Sequence, residues 1–383
     1  MFGDRVEIGL SWLAGQRLAM QRLLERLVRQ SSFSHDGPGA TSVALMVETE
    51  LRRIGLRTER IPSSPFGDHL YFETPSRDPH VFLVGHTDTV FPRRTFEGFE
   101  LRGDFAHGPG VYDMKGGLVI AVFALEAFAR AAVLRHVPLR GIFVSDEEIG
   151  SPGSQRHIAE RAAGASCALV LEAGRTGDAI VTSRKGVGAL NVTVTGTAAH
   201  AGNEHHLGHS AVWSIARFVD RAQTLTDPEK GITVNVGLLQ GGTTRNTVPD
   251  RATAEIDVRF VRTEDGHHLV EQFEALAEEV AVAGTRIEVA RTSWRSPMVR
   301  TEAAAALARE YGECQSESGL GAGEAPLSGG GSDACTTSAM GIPTIDGLGP
   351  RGSGYHTAAE RADLTSFVPK ATALVRFLGR RCR

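Results

Sequence analysis

The stretch Val81–Val90, VFLVGHTDTV, constrains this chain more than any other. An apolar, largely β-branched run breaks at Gly85 and then presents His86, Thr87 and Asp88. Such a run predicts a buried strand of an open α/β sheet, and those sheets hold their chemistry at the C-terminal ends of strands. Side chains two apart on extended backbone point to one side, so His86 and Asp88 can converge. A histidine beside a carboxylate can be a general base, a metal ligand with its orienting partner, or a satisfied structural pair. The rest of the chain has to decide among these.

Polar endings of the same kind recur. The segment 104–117, DFAHGPGVYDMKGG, surrounds Asp113 with glycines ahead of an apolar helix expected over Leu118–Leu134. Asp113 could be an N-cap. However, Gly116 and Gly117 stand between it and the helix, an expensive choice unless backbone must bend or come close to something. His107 reads as a loop histidine. Leu139–Ser145 is a short strand followed by Asp146, Glu147 and Glu148, and Ala168–Glu172 (ALVLE) precedes Ala-Gly. Three consecutive acids are ordinarily a solvated turn. Four strand ends that deliver His86/Asp88, Asp113, Glu147/Glu148 and Glu172 in order read as one site.

The remaining segments supply the frame. A helix is expected over Leu10–Gln30 and a second over Thr41–Leu56, with His35 and Asp36 as loop and cap residues between them. Short strands follow in Arg57–Glu73. From Gly186 the order becomes β-α-β-β-α-β, with strands Val187–Val194, Val234–Leu239 and Ala252–Phe260 and helices Ser210–Leu225 and Gly266–Ala283, which resembles a ferredoxin-like unit. From Met298 the α/β pattern resumes. It has a helix to Tyr311, the Gly-rich Ser328–Asp333, a strand near Ile342–Ile345, a loop bearing His356, and a helix over Ser366–Arg380. At 383 residues the chain exceeds one ordinary core. The expected architecture is an α/β/α domain with a mixed, mostly parallel sheet over 1–185 and 298–383, carrying an inserted α+β domain over 186–297.

Composition excludes some partners. A net charge of −4 offers no basic field for nucleic acid or anionic lipid. No run approaches the roughly 18 apolar residues needed to span a bilayer. The N-terminus carries Asp4 and Glu7 in an amphipathic segment, unlike a signal peptide. Cys167, Cys314, Cys335 and Cys382 lie far apart, so reduced thiols and a cytoplasmic setting are expected.

The candidate ligands are His86, Asp113, Glu148, Glu172 and His356, with no cysteine among them. Imidazole and carboxylate suit zinc, and also manganese or cobalt. Five ligands are too many for one catalytic zinc. They suit two cations about 3.5–4 Å apart that share one carboxylate. Glu147 is then spare and placed to act as general base, and Asp88 would orient His86 by accepting its other N–H.

GHTDTV, GVYDMKGG, SDEEIGS, LEAG and YHTAAE, together with GTAAHAGNE and GGGSDA, resemble the motifs of the co-catalytic metallopeptidase family. That family includes bacterial glutamate carboxypeptidase, aminoacylase, succinyl-diaminopimelate desuccinylase and peptidase T. The resemblance covers nearly the whole chain. It implies two divalent ions, most simply Zn2+, with the Asp113 carboxylate bridging them and the Asp113–Met114 peptide bond cis. His86 and Glu172 would complete one ion, Glu148 and His356 the other, and Glu147 would shuttle the proton. Glu rather than Asp at position 172 implies a carboxypeptidase or deacylase rather than an aminopeptidase. The inserted domain is similar to a lid and dimerisation domain, in which His200 would reach the partner subunit's site and steady the scissile carbonyl. Arg259 and Asn246 would hold a substrate carboxylate, and Lys185 and Gly330 would line the pocket.

Arg259 also reads independently as polar-face. Thr253, Glu255, Asp257 and Arg259 share one side of their strand, so a salt bridge to Asp257 or Glu255 is the competing use. The stretch His205-His206-Leu207-Gly208-His209 departs from the family's usual Pro and Arg, and a solvent-exposed loop is expected there. The leading expectation is a homodimeric glutamate-type carboxypeptidase. An N-acyl-amino-acid deacylase of acetylornithine or desuccinylase type, or an amidohydrolase of an unusual substrate, is the alternative. A dimeric binding protein without chemistry is the third, disfavoured because both histidines, Asp113 and Glu147 are all present.

Overall fold

Val81–His86 is the fully buried interior strand of a six-stranded sheet in the computed structural model, which describes residues 2–76 and 80–382. Across that sheet the order is Arg57–Ile61, His69–Glu73, Leu139–Val144, Val81–His86, Cys167–Val170, Thr344–Ile345. The first two pairings are antiparallel and the last three parallel. Val81, Phe82, Leu83 and Val84 are all 0% exposed, the burial on both faces that an uninterrupted apolar run requires. Each such side chain contributes about 1.5–3 kcal/mol of transfer free energy. In register, His86 lies opposite Val144, and Val84 opposite Val170. The parallel strands therefore release His86, the 145–148 turn and Glu172 at one edge.

The helix after Asp113 runs Lys115–Arg130 and is buried continuously from Lys115 to Phe128. An all-round apolar helix needs cover on all sides, and Phe2–Ala14, Arg17–Arg29 and Phe367–Arg381 pack against it. It begins three residues earlier than expected, so both glycines lie inside it. Close approach explains them. A Cβ on Gly117 would lie 2.2 Å from the Leu171 carbonyl oxygen, and one on Gly116 would lie 2.6 Å from Pro350 Cγ. The expected helix Leu10–Gln30 is instead two, Phe2–Ala14 and Arg17–Arg29. The first stops at Gly15, where the Gln16 side-chain amide donates to the Trp12 carbonyl.

A second, antiparallel sheet was not legible in the sequence. It pairs Gly352–Ser353, Arg361–Asp363, Phe105–His107 and Glu100–Arg102. His107 is thus in a strand, opposite Arg361, rather than in a loop.

The chain forms two compact units. The first comprises Met1–Ser183, Arg300–Ser328 and Ser332–Arg383, and the second Arg184–Val299 with Gly329–Gly331. The second unit has a four-stranded antiparallel sheet in the order Thr233–Gly241, Arg251–Phe260, Gly186–Thr195, Arg286–Arg295. Helices Ala211–Gln223 and Thr263–Val280 cover its apolar side, where Ile256, Val258 and Phe260 meet Phe218 and Phe273. Together with the chain order this is the ferredoxin-like arrangement. Among the described residues no helix is long and apolar enough to cross a membrane.

Candidate metal centre

Asp113 lies in the turn that leads into the Lys115–Arg130 helix, not at the end of a strand of the six-stranded sheet as His86, Glu147, Glu148 and Glu172 do. The helix is capped by Met114 without a side-chain bond, so Asp113 is not spent as an N-cap. The Asp113–Met114 peptide bond is cis. The Asp113 carboxylate turns one oxygen to each of two imidazoles: Oδ1 is 3.4 Å from His86 Nε2, and Oδ2 is 3.5 Å from His356 Nε2. Each histidine has a glutamate of its own. Glu172 Oε1 is 3.6 Å from His86 Nε2, and Glu148 Oε2 is 3.0 Å from His356 Nε2. His356 sits on its loop at φ 62° and is half-exposed, whereas His86 is buried.

The surroundings hold these groups in place. His86 Nδ1 donates to the Asp88 main-chain oxygen at 3.1 Å, with the Asp88 carboxylate 3.4 Å away. That fixes the tautomer and leaves Nε2 facing the acids. Asp88 therefore orients His86 mainly through its carbonyl. Its carboxylate accepts instead from the Glu147 and Glu148 main-chain N–H groups, both at 3.2 Å, and from Ser34 Oγ at 2.7 Å. The three acids after Leu139–Val144 are not a solvated turn: Asp146 is 0% and Glu147 7% exposed. Asp146 Oδ2 accepts from the N–H groups of Gly153 and Ser154 and so closes the turn that aims its neighbours.

Electrostatics show what this arrangement wants. Burial alone would depress the His86 imidazole, but Glu172, Asp113 and Asp88 hold it well above its ordinary value. Contacts with Asp113 and Glu148 push His356 up to about 10. Burial pushes Glu148 up to about 8 against the pull of His356, and burial with the Asp113 charge raises Glu172 well above the usual carboxylate range. Asp113 moves the other way, because His356 and His86 outweigh its burial. Packed acids that resist losing all their protons form a site short of positive charge.

Divalent cations fit this site. His86 Nε2 and Asp113 Oδ1 are buried polar atoms without a hydrogen-bond partner among the described residues, and both face the cluster. His86, Asp113 and Glu148 present ligand atoms within 4.8 Å of one another, as do His86, Glu147 and Glu172. Mixed imidazole and carboxylate donors suit zinc, manganese or cobalt.

The other candidates belong to the second unit. His200 is exposed, and its Nδ1 accepts from the N–H groups of Gly202 and Asn203, which places the ring proton on Nε2. Arg259 makes a two-point pair with Asp257 at 2.7 and 2.8 Å, the competing use that its strand face allowed. Asn246 is exposed, and its carbonyl accepts from Ala201 N–H. Lys185 Nζ donates to the Gly231 carbonyl at 2.6 Å, and the Gly330 carbonyl accepts from Arg184 at 3.0 Å. His205 and His206 are exposed, and His209 pairs with Thr197 through main-chain bonds.

Sequence reasoning passed over Ser34, Lys115 and Glu360. Lys115 is fully buried and donates to the Gln30 carbonyl. Glu360 gathers three main-chain N–H groups of the Gly110–Asp113 segment. The only signal for either was membership of a motif already credited to a neighbour.

Residues 82–380 match the model of peptidase family M20/M25/M40. Carboxypeptidase G2 of Pseudomonas sp. strain RS-16 is 29% identical over 355 residues, covering 91% of this chain and 86% of that protein. Succinyl-diaminopimelate desuccinylase of Rhodopseudomonas palustris is 26% identical over 309 residues, covering 71% of this chain and 74% of that protein. Among solved structures, the M20 family metallo-carboxypeptidase Sso-CP2 of Sulfolobus solfataricus superposes with a TM-score of 0.75 at 18% identity, covering 94% of this chain and 98% of that one. At that identity the likeness speaks for the fold.

Proposed function

This chain belongs to peptidase family M20/M25/M40 and is a metal-dependent hydrolase, and from that premise we propose that it cleaves an amide to release an amino acid with a free α-carboxylate, as a glutamate-type carboxypeptidase. The observation that carries the reading is Asp113, which turns one oxygen to His86 and the other to His356, each with its own glutamate.

His86 and Glu172 would hold one divalent ion, Glu148 and His356 the other, and Asp113 both, with zinc the first choice. The ions would polarise the scissile carbonyl and make a water nucleophilic near neutral pH. Glu147, buried beside the cluster, takes the proton from the attacking water on a carboxylate oxygen and returns it to the leaving amine nitrogen. Asp88 holds the Glu147 and Glu148 main chain, so base and ligand keep a constant offset. Arg259 would exchange Asp257 for the carboxylate of the substrate, whose planar pair of oxygens its guanidinium matches. Asn246 would assist it, with Lys185 and Gly330 lining the pocket.

The segment 186–297 would serve as lid and dimerisation domain, with 1–185 and 298–383 as the catalytic part. The edge strand Thr233–Gly241 leaves Leu238 and Leu239 more than half exposed, and Trp213 on the Ala211–Gln223 helix is 60% exposed. An apolar strand edge of this kind favours pairing with a second copy. In such a homodimer His200 Nε2–H would donate to the developing oxyanion in the partner's site. A cytoplasmic setting accords with four free cysteines, three of them buried.

The second reading, an N-acyl-amino-acid deacylase, is favoured by the desuccinylase relative. It uses the same residues on the same bond type. A panel of C-terminal glutamate dipeptides, N-acetylornithine and N-succinyl amino acids separates the two. Faster turnover of the glutamate amides supports the carboxypeptidase, and turnover confined to the acetyl or succinyl amides overturns it.

A further inference from the structure

Glu360 is 0% exposed and lies four residues beyond His356. Its Oε1 accepts from the main-chain N–H groups of Tyr112 at 2.9 Å and Asp113 at 3.0 Å, and its Oε2 from that of Gly110 at 3.0 Å. These contacts span about 250 positions of sequence. Adding a buried acid beside the Asp113 carboxylate is electrostatically unfavourable, and a neutral acceptor would tie a turn at less expense. What a carboxylate offers is two oxygens on one rigid plane, enough to bind three converging donors at once.

Both ends of the link are stiff. On the far side, Thr357 N–H donates to the Gly354 carbonyl at 3.1 Å, and Glu360 N–H donates to the Thr357 carbonyl at 3.1 Å. Thr357 Oγ1 also donates to the Gly354 carbonyl at 2.7 Å and accepts from Ala359 N–H. His356 is locked inside that turn. Directly after Glu360, the strand Arg361–Asp363 pairs with Phe105–His107, which leads into the Gly110–Asp113 segment. On the near side, Gly110 has φ +79°, and its carbonyl accepts from Lys115 N–H at 2.8 Å. The Glu360 carboxylate is thus the bolt between the loop that carries His356 and the loop that carries Asp113.

We propose that Glu360 is a positioning residue, which sets where the Asp113 carboxylate stands relative to His356 and thereby the affinity of the cluster for its pair of divalent cations. The inference rests on reading the cluster as a two-cation site. Glu360 touches neither cation nor substrate. Its effect passes through the main chain of Asp113.

The test uses the full-length chain, stripped of metal and shown to be folded by circular dichroism, titrated with Zn2+ against a chelator and with Co2+ by visible absorption. Glu360→Gln keeps the shape but sets an amide N–H2 against one of the donors. It should weaken cation binding about 10–100-fold and change the Co2+ spectrum. In the loaded enzyme it should lower kcat while KM stays close to the wild-type value. Glu360→Asp, with the charge withdrawn by one methylene, should give a smaller loss in the same direction. Glu126→Gln removes another buried acid, one on the Lys115–Arg130 helix that pairs with Arg130 and with Arg53 of the Gly37–Arg53 helix. It should lower the melting temperature and leave cation affinity and spectrum unchanged.

Wild-type affinity and spectrum in Glu360→Gln would overturn the inference alone. So would a Glu360→Gln chain that is unfolded under conditions where metal-free wild type is folded, since the residue would then serve the fold. A wild-type chain that binds no cation would overturn both this inference and the reading beneath it.

Discussion

In the first unit His86, Asp113, Glu147 and Glu148 are anchored by something other than the chemistry they would perform. In the second unit the candidate groups are exposed or engaged with other residues of that unit. His86 is steered by the Asp88 carbonyl, Glu147 and Glu148 by the Asp88 carboxylate, and Asp113 by Glu360. Against this, His200 stands in solvent on a two-residue strand, and Arg259 is closed on Asp257. The contrast matches what each region would have to do. A metal site gains from being assembled in advance, with ligands already set against one another. Groups that would meet a substrate, or a neighbouring subunit, must be free to exchange partners, and exposed groups and partner-swapping ion pairs leave that freedom.

The largest expected effect sharpens the first half of this contrast. Glu147→Gln should lower kcat by about 10²–10⁴-fold and leave bound metal near two per chain. If elemental analysis instead showed metal lost along with activity, Glu147 would be a ligand, as its place within reach of His86 and Glu172 permits. Next, His200→Ala and Glu147→Gln chains, each nearly inactive alone, should regain activity when unfolded and refolded together. Each mixed dimer then pairs an intact Glu147 with an intact His200 from the other chain. A mixture that stays inactive would mean that His200 serves its own subunit or none. A smaller effect is expected for Arg259→Lys, which keeps the charge and loses the two-point fork. KM should rise about 10-fold for carboxylate-bearing substrates with kcat little changed, and steady-state kinetics would read this directly.

The smallest effect concerns the scaffold beneath the first region. His80, at the opposite end of the Val81–His86 strand from the site, is buried, packs edge-on to Phe82, and is pushed by burial down to about 4. Above pH 6.5 the ring is neutral both folded and unfolded. Between 6.5 and 4 the unfolded chain takes the proton and the folded chain does not, so stability is lost as the pH drops across that window. His80→Gln should lessen the loss between pH 7 and pH 5 by about 1 kcal/mol relative to wild type, measured by denaturant melts.

How much of this was readable from the sequence depends on the range over which each feature is encoded. The central strand, the helix–strand order of the second unit and the ligand candidates are local patterns. An apolar run, a period, and a polar residue just past a strand end each declare themselves within ten residues. The motif set then linked the candidates to a family. Gly116 and Gly117 were legible only as a question, whose answer was the Leu171 carbonyl and Pro350 ring pressed against them. The break at Gly15 was hidden because the leucine spacing carries on across it. The small sheet of Phe105–His107 with Arg361–Asp363 joins segments far apart in the chain, and strands three residues long leave no periodic signature. Glu360 escaped for the same reason. Its role exists only where two distant loops meet. Arg259 shows the opposite case, since its pairing with Asp257 follows from alternation along one strand and was open to reading from the start.

The central claim is that five side chains of the first unit hold two cations with Asp113 between them. Crystals of the zinc-loaded protein, measured on both sides of the zinc absorption edge, test it most directly. The account predicts two anomalous peaks per chain, about 3.5–4 Å apart, one against His86 and Glu172, the other against Glu148 and His356, with an Asp113 oxygen on each. A single peak, or two peaks with Asp113 bound to only one of them, would contradict it.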